Sequence, residues 1–194
     1  MILPIVAYGS PVLKKRCIDI SIDYKDLNLL IQNMWETMYA ASGVGLAAPQ
    51  IGLSIRLFVV DASPFSNDEN LSIEERNNLS NFKEVFINPT LTPLTSKVNT
   101  FNEGCLSIPD IREDIVRENE ILIEYLDENF KKKKLRLNGL RARVVQHEYD
   151  HIEGILFTDK LSSFKKRLIK TKLNNISNGK VNSDYLMSFH VLKK

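Results

Sequence analysis

"VVQHEYDHIEG", Val144–Gly154, decides how this chain is read. It carries two of the three histidines, His147 and His151, with Glu148 between them. On a helix, residues four apart stand about 40° from each other around the axis, so their side chains project together. Two imidazoles placed in this way can hold one metal ion. A glutamate beside them can take a proton from water that the ion has made acidic. Leu140, Val144, His147 and His151 fall on one helical stripe, Asn138 stands where an N-cap is needed, and Gly154 where a helix stops. A solvated helix face with chance histidines is the plain alternative. Against it, the rest of the stripe is apolar, and imidazoles turned inward need partners.

A catalytic centre needs a third protein ligand and one open position. His190 lies in a polar tail and reads as a surface histidine. Cys105 is the better candidate, in the turn-like segment "NEGCLSIP" between Gly104 and Pro109. A thiolate suits a borderline-soft divalent ion, and Cys-His-His leaves a place for water. Cys17 has neither a histidine nor a glycine turn beside it and reads as a small buried hydrophobe.

Outward from this core the chain reads as α+β, because strands and helices do not alternate regularly. A helix is predicted over Asp26–Ser42, with Asp26 near its N-cap, followed by a glycine loop, "GVGLAAPQIG". Ile55–Asp61 is a short apolar strand, and "EVFINP" is a strand stopped by Pro89. Between them, residues 62–83 are polar and read as a surface insertion with a helical turn about Ile73–Asn77. Thr90–Asn102 reads as strand and turn. "ILIEYLD" and "KLRLNG" form a hairpin whose turn contains the cationic run Lys131–Lys134. A last helix is predicted over Ser162–Asn174, then a tail ordered in part.

The 194 residues suit one domain over residues 1–194, with the insertion at 62–83 and the C-terminal helix and tail at 162–194. A surplus of two positive charges gives no electrostatic argument for DNA or other nucleic acid as the main ligand. Two distant cysteines make no disulfide framework, no apolar run suits a membrane span, and the N-terminus lacks the pattern of a signal peptide. A cytoplasmic protein is expected.

Three motifs in order resemble the peptide deformylase family: "GVGLAAPQ" (Gly43–Gln50), "EGCLS" (Glu103–Ser107) and "QHEYDH" (Gln146–His151). The resemblance implies that family's fold, with small antiparallel or mixed sheets around a central helix carrying the HExxH motif, plus N-terminal and C-terminal helices. It implies removal of the formyl group from N-formylmethionyl nascent peptides. The ligands would be Cys105, His147 and His151 on one divalent ion, ferrous iron in the cell, with zinc, nickel or cobalt able to substitute. Glu148 would move the proton, and the side-chain amide of Gln50 and the backbone N–H of Leu106 would receive the oxyanion. Val44, Leu106 and Val144 would wall the methionine pocket, Gly45 and Gly104 would pair with an extended substrate, and Arg112 would line the cleft. Arg143 stands where many relatives carry an apolar pocket residue. A monomer is implied, with a weaker link to the ribosome near the exit tunnel through Lys165, Lys166 and Arg167.

Two other readings remain open on sequence alone. H-E-x-x-H by itself is the signature of a zinc peptidase, although "GVGLAAPQ" and a cysteine ligand have no place in that ligand set. A non-catalytic metal protein would close its site with a fourth protein ligand, and no second nearby cysteine or histidine supplies one.

Overall fold

β3 (Leu57–Asp61) shows why the chain folds as it does, once β1 (Ile5–Val6), α1 (Leu27–Ala40) and β2 (Gly45–Ala47) have been laid down before it. The computed structural model describes residues 1–190. All five residues of β3 are buried. Leu57 and Val59 pack on one face with Ile31, Met34 and Met38 of α1, and Phe58 and Val60 pack on the other. A strand covered on both faces reads as a continuous apolar run, which is how "LFVVD" looks.

The chain continues through α2 (Ile73–Ser80), β4 (Lys83–Pro93), β5 (Val98–Cys105), β6 (Ile108–Glu118), β7 (Glu120–Leu126) and β8 (Lys132–Asn138). α3 (Gly139–Ile152), α4 (Ser163–Ser177) and β9 (Met187–Ser188) complete it. Strands β2-β3-β4-β7-β8 form an antiparallel sheet, β5 and β6 a separate hairpin, and β1 pairs in parallel with β9. α3 lies on the sheet face opposite α1, burying Ala142, Val145 and Ile152 against Phe58, Phe86 and Ile123. A third apolar cluster joins Ile108, Ile111 and Ile115 of β6 to Phe157 and to Ile169, Leu173 and Ile176 of α4. The architecture is α+β, with α3 packed on the five-stranded sheet.

Several local expectations are corrected. Asp26 does precede α1, but it sits in the left-handed region at φ 54° and its side chain makes no cap bond. Part of the glycine loop is the short strand β2, followed by a 3-10 turn over Ala48–Ile51. Pro89 does not end its strand. Asn88 takes φ 48° and exchanges two hydrogen bonds with the backbone of Ile20 (2.9 and 2.8 Å). The register then shifts between Ile87 and Thr90, and β4 runs on as a bulged strand. An asparagine tolerates that backbone, and a bulge tolerates a proline without an N–H.

The insertion at residues 62–83 is not merely surface. Its helix is longer than one turn, capped by the Ser72 hydroxyl accepting from Glu75 N–H (3.1 Å), and it carries Leu79 and Phe82 into the core beside α3. At the far end of α3 the stop is steric as well as conformational. Gly154 takes φ +75°, and a Cβ there would stand 2.8 Å from the carbonyl oxygen of Lys14.

The tail is built into the structure as far as Ser188 through β9, while the last four residues of the predicted tail lie outside the described residues. The hairpin β7-β8 forms, but its turn is shorter than expected: Lys132, Lys133 and Lys134 lie in β8 opposite Leu126, Tyr125 and Glu124, and Lys131–Lys134 and His190 are exposed.

Candidate metal centre

α3 sets the histidines. His147 and His151, one turn apart, bring their rings to a centroid separation of 5.1 Å. Cys105 arrives from the end of β5, where a register shift after Gly104 turns the chain through Leu106 and Ser107 into β6. Its Sγ lies 3.2 Å from His151 Nε2. One ligating atom each from Cys105, His147 and His151 lie within 4.8 Å of one another. One ion at ~2.0–2.3 Å from each fits among them with little movement. Among the described residues this is the one such cluster found, and it has three members, not four.

The orientation of His147 is fixed from behind. Its Nδ1 lies 2.9 Å from Glu103 Oε2, so Nδ1 carries the proton and Nε2 is free to ligate. Glu103 also accepts from Arg117 (2.7 and 2.9 Å) and Arg143 (2.9 Å), and Arg117 donates on to Asp150 (2.6 Å). Two buried guanidiniums thus face two buried carboxylates. Burial alone would raise the Glu103 carboxyl, but the His147 and Arg117 hydrogen bonds win and hold it well below the usual range. His151 is likewise held well below its ordinary value, by burial first and then by the neighbouring positive charges of His147 and Arg117, which leaves it neutral. Burial alone would lower His147 too, but its hydrogen bonds to Cys105 and Glu103 raise it to about 10, so it must shed a proton to ligate. A neutral imidazole is the ligand form.

Glu148 points from α3 toward β2. It is buried, its Oε2 has no hydrogen-bond partner among the described residues, and burial is the main cause pushing its carboxyl up to about 7. Gly45 makes room for it. A Cβ on Gly45 would run into the Glu148 carboxylate, standing 2.7 Å from its Cδ. Gly45→Ala is therefore expected to displace Glu148 and lower kcat for the reaction catalysed here by about 10- to 100-fold, since small misplacements at a reacting centre cost about that much. Unchanged kcat would show that Glu148 has another place to go.

Gln50 lies at the end of the 3-10 turn, buried. Its Oε1 accepts from Ala47 N–H (2.8 Å), which fixes the amide so that Nε2 faces the centre, 3.5 Å from Cys105 Sγ and from Ser107 Oγ. These groups close one end of a cleft of about 750 Å³. Val44, Gly45, Gly104, Leu106, Arg112 and Val144 all line it, so the structure brings every residue named from the sequence to one place, with His151 at its base. Arg112 sits at the exposed rim and is tied to Asn102 (3.1 Å to Oδ1, 2.5 Å to O).

Arg143 resolves into a double position. It borders the cleft, yet its guanidinium turns back to Glu103, to Ile115 O (3.1 Å) and to Asn99 O (2.8 Å).

Sequence reasoning missed four contributors. Glu103 and Arg117 could have been found: Ile111, Ile115 and Arg117 share the inward face of β6, and a charge on an apolar face signals a buried partner. Phe65 from the insertion and Tyr185 from the tail also line the cleft, and no local pattern pointed to either.

Comparison with known proteins shows the family and the fold. The family model described as polypeptide deformylase matches residues 2–167. A peptide deformylase of Christiangramia forsetii is 59% identical over 194 residues, covering 100% of this chain and 99% of that one. One from Flavobacterium psychrophilum is 59% identical over 187 residues, covering 96% of each. Among solved structures, a peptide deformylase from Legionella pneumophila superposes with a TM-score of 0.76 at 34% identity, covering 93% of this chain and 98% of that one. The Arabidopsis thaliana peptide deformylase 1B in complex with an inhibitor gives 0.77 at 31% identity, covering 91% of each.

Proposed function

This chain belongs to the polypeptide deformylase family, and from that membership we propose that it hydrolyses the formamide of N-formylmethionine at the start of newly made polypeptides. Formate and a free amino terminus are the products. The observation that carries the reading is the convergence of Cys105, His147, His151, Glu148 and Gln50 on one end of the cleft. One thiolate and two imidazoles, His151 already neutral and His147 neutral once it gives up its proton on binding, are a donor set that fits a borderline-soft divalent ion. When bound, that ion supplies Lewis acidity toward water and the formyl oxygen.

The chain's own groups do the rest. Glu148 takes the proton of the attacking water and hands it to the leaving amine. Gln50 Nε2 and the Leu106 N–H donate to the oxyanion that forms on the former carbonyl oxygen. Val44, Leu106 and Val144 hold the methionine side chain, while the backbones at Gly45 and Gly104 pair with the substrate in strand fashion. Arg112 guides the peptide at the rim. The ion is ferrous iron in this reading, with zinc, nickel or cobalt as substitutes.

The protein works in the cytoplasm as a monomer and as one domain, with no DNA or membrane partner. No helix among the described residues is long and apolar enough to cross a membrane. Lys165 and Lys166 are engaged with Glu113 (2.8 Å) and with Asp159 O (2.7 Å), so docking to ribosomal RNA would rest on Arg167, Lys170 and Lys172.

Protein purified without oxygen should carry about one iron per chain and release formate from formyl-Met-Ala without cutting longer, unformylated peptides. Internal cleavage would favour the zinc peptidase, and bound metal with no turnover of either substrate would favour a structural site. Zinc alone in that preparation would overturn the choice of iron.

A further inference from the structure

The family match ends at residue 167, yet the cleft is finished by residues beyond it. Asn182, Ser183, Asp184 and Tyr185 form part of its wall. They are held there by β9, whose parallel pairing with β1 includes Ile5 N–H to Leu186 O and Ala7 N–H to Ser188 O, both 2.8 Å.

Each strand of this ladder also supplies one hydrogen bond to the turn that follows Cys105. Tyr8, just past β1, donates its N–H to Ser107 O (2.8 Å). Tyr185, just before β9, donates its phenol O–H to Leu106 O (2.7 Å). Two consecutive carbonyls of the turn are thereby gripped from the same two-stranded ladder. The phenol is half-buried and its pKa is pushed up to about 12, chiefly by burial, so the group stays a donor at any working pH.

We propose that Tyr185 is a positioning residue for deformylation: by holding the Leu106 carbonyl it fixes the backbone whose N–H receives the oxyanion. The inference rests on the deformylase reading above. Its physical content is simple. Cys105 Sγ is anchored by its approach to His151, but Leu106 is half-buried on the open side of the turn. The backbone N–H of Leu106 points correctly only if its φ and ψ are held, and the tyrosine bond restrains the peptide unit that follows. A donor that must be placed before charge develops loses value when it can swing. The ring adds a second part to the role, because with its neighbours it walls the outer cleft, where substrate residues after the first would lie.

Tyr185→Phe tests this without removing the ring. The expected result is a fall in kcat for formyl-Met-Ala of about 5- to 20-fold, less than the ~10²–10³ lost when an oxyanion donor is deleted outright. KM should stay within about twofold, because a group acting mainly on the transition state lowers kcat and kcat/KM together. Metal content should match the parent protein and the thermal midpoint should fall by no more than about 2–6 °C, the cost of one part-buried hydrogen bond, which a general loss of structure would exceed. A second readout needs no turnover: the Ser107 amide, in the same peptide unit as the Leu106 carbonyl, should shift its ¹⁵N resonance.

Parent-like kcat in Tyr185→Phe, or an unmoved Ser107 amide, would overturn the proposal while leaving the deformylase reading intact. A KM rise with unchanged kcat would also overturn it, leaving Tyr185 as a binding wall only. A parent protein that releases no formate from formyl-Met-Ala overturns the deformylase reading and this inference with it.

Discussion

Glu148→Gln is expected to keep its metal and to lose about 10²–10⁴-fold in kcat, the range that a positioned general acid–base group contributes. Glutamine fills the same space, so the pocket that Gly45 leaves beside the side chain is preserved. What disappears is the ability to accept a proton and return it. The candidate ligands Cys105, His147 and His151 are untouched, and no hydrogen bond to Glu148 Oε2 is lost because none exists among the described residues. Metal content measured beside formate release separates this outcome from collapse of the site. A variant with full metal and parent turnover would remove Glu148 from the mechanism.

The second large effect falls on stability. Glu103→Gln should lower the unfolding free energy of the metal-free protein by about 3 kcal/mol, the lower end of the cost of breaking a buried ion pair. The reason lies in the donor count. Glu103 Oε1 accepts from Arg117 and Arg143, and Oε2 accepts from Arg117 and His147. An amide keeps only one of these oxygens and turns an NH₂ toward donors, so at least two buried N–H groups lose their acceptor. The substitution also leaves Arg117 with Asp150 as its remaining carboxylate, and Arg143 with only the neutral acceptors Ile115 O and Asn99. Where the amide turns its NH₂ toward His147, the bond that sets the imidazole tautomer is lost, and metal affinity should drop by about 10- to 100-fold. Urea unfolding of the metal-free form and chelator competition on the loaded form read the two effects separately. Parent values in both would mean that the network is dispensable.

Much of the centre was legible because it is written in helical and turn grammar. His147 and His151 share a stripe with Leu140 and Val144, and a helix turns that spacing directly into proximity. The strand Leu57–Asp61 was equally plain, since an apolar run of that length bounded by polar residues has few other uses. Cys105 could be nominated on chemistry, but its meeting with His151 is long-range and needed the fold to bring β5 against α3.

The misreadings share a cause. Pro89 carries a strong local signal to stop, and the contact of Asn88 with Ile20 overrides it by supplying the bulge in which a proline is harmless. Residues 62–83 look polar on average, and the average hides Ala62, Leu79 and Phe82, which enter the core. Tyr185 was invisible for a different reason. Nothing near it in sequence marks it, and its role depends on β9 reaching β1 from the other end of the chain.

That pairing has a consequence for how the protein comes into being. Ile5 and Met187 are register partners, so this ladder closes a loop of roughly 180 residues. At about 5–20 residues per second of synthesis, β1 waits on the order of 10–40 s for its partner strand to be made. Everything between them, including α3 and its histidines, can collapse around the central sheet first. The ladder is therefore among the later contacts available to a growing chain, and the turn after Cys105 must stay incompletely held until it forms.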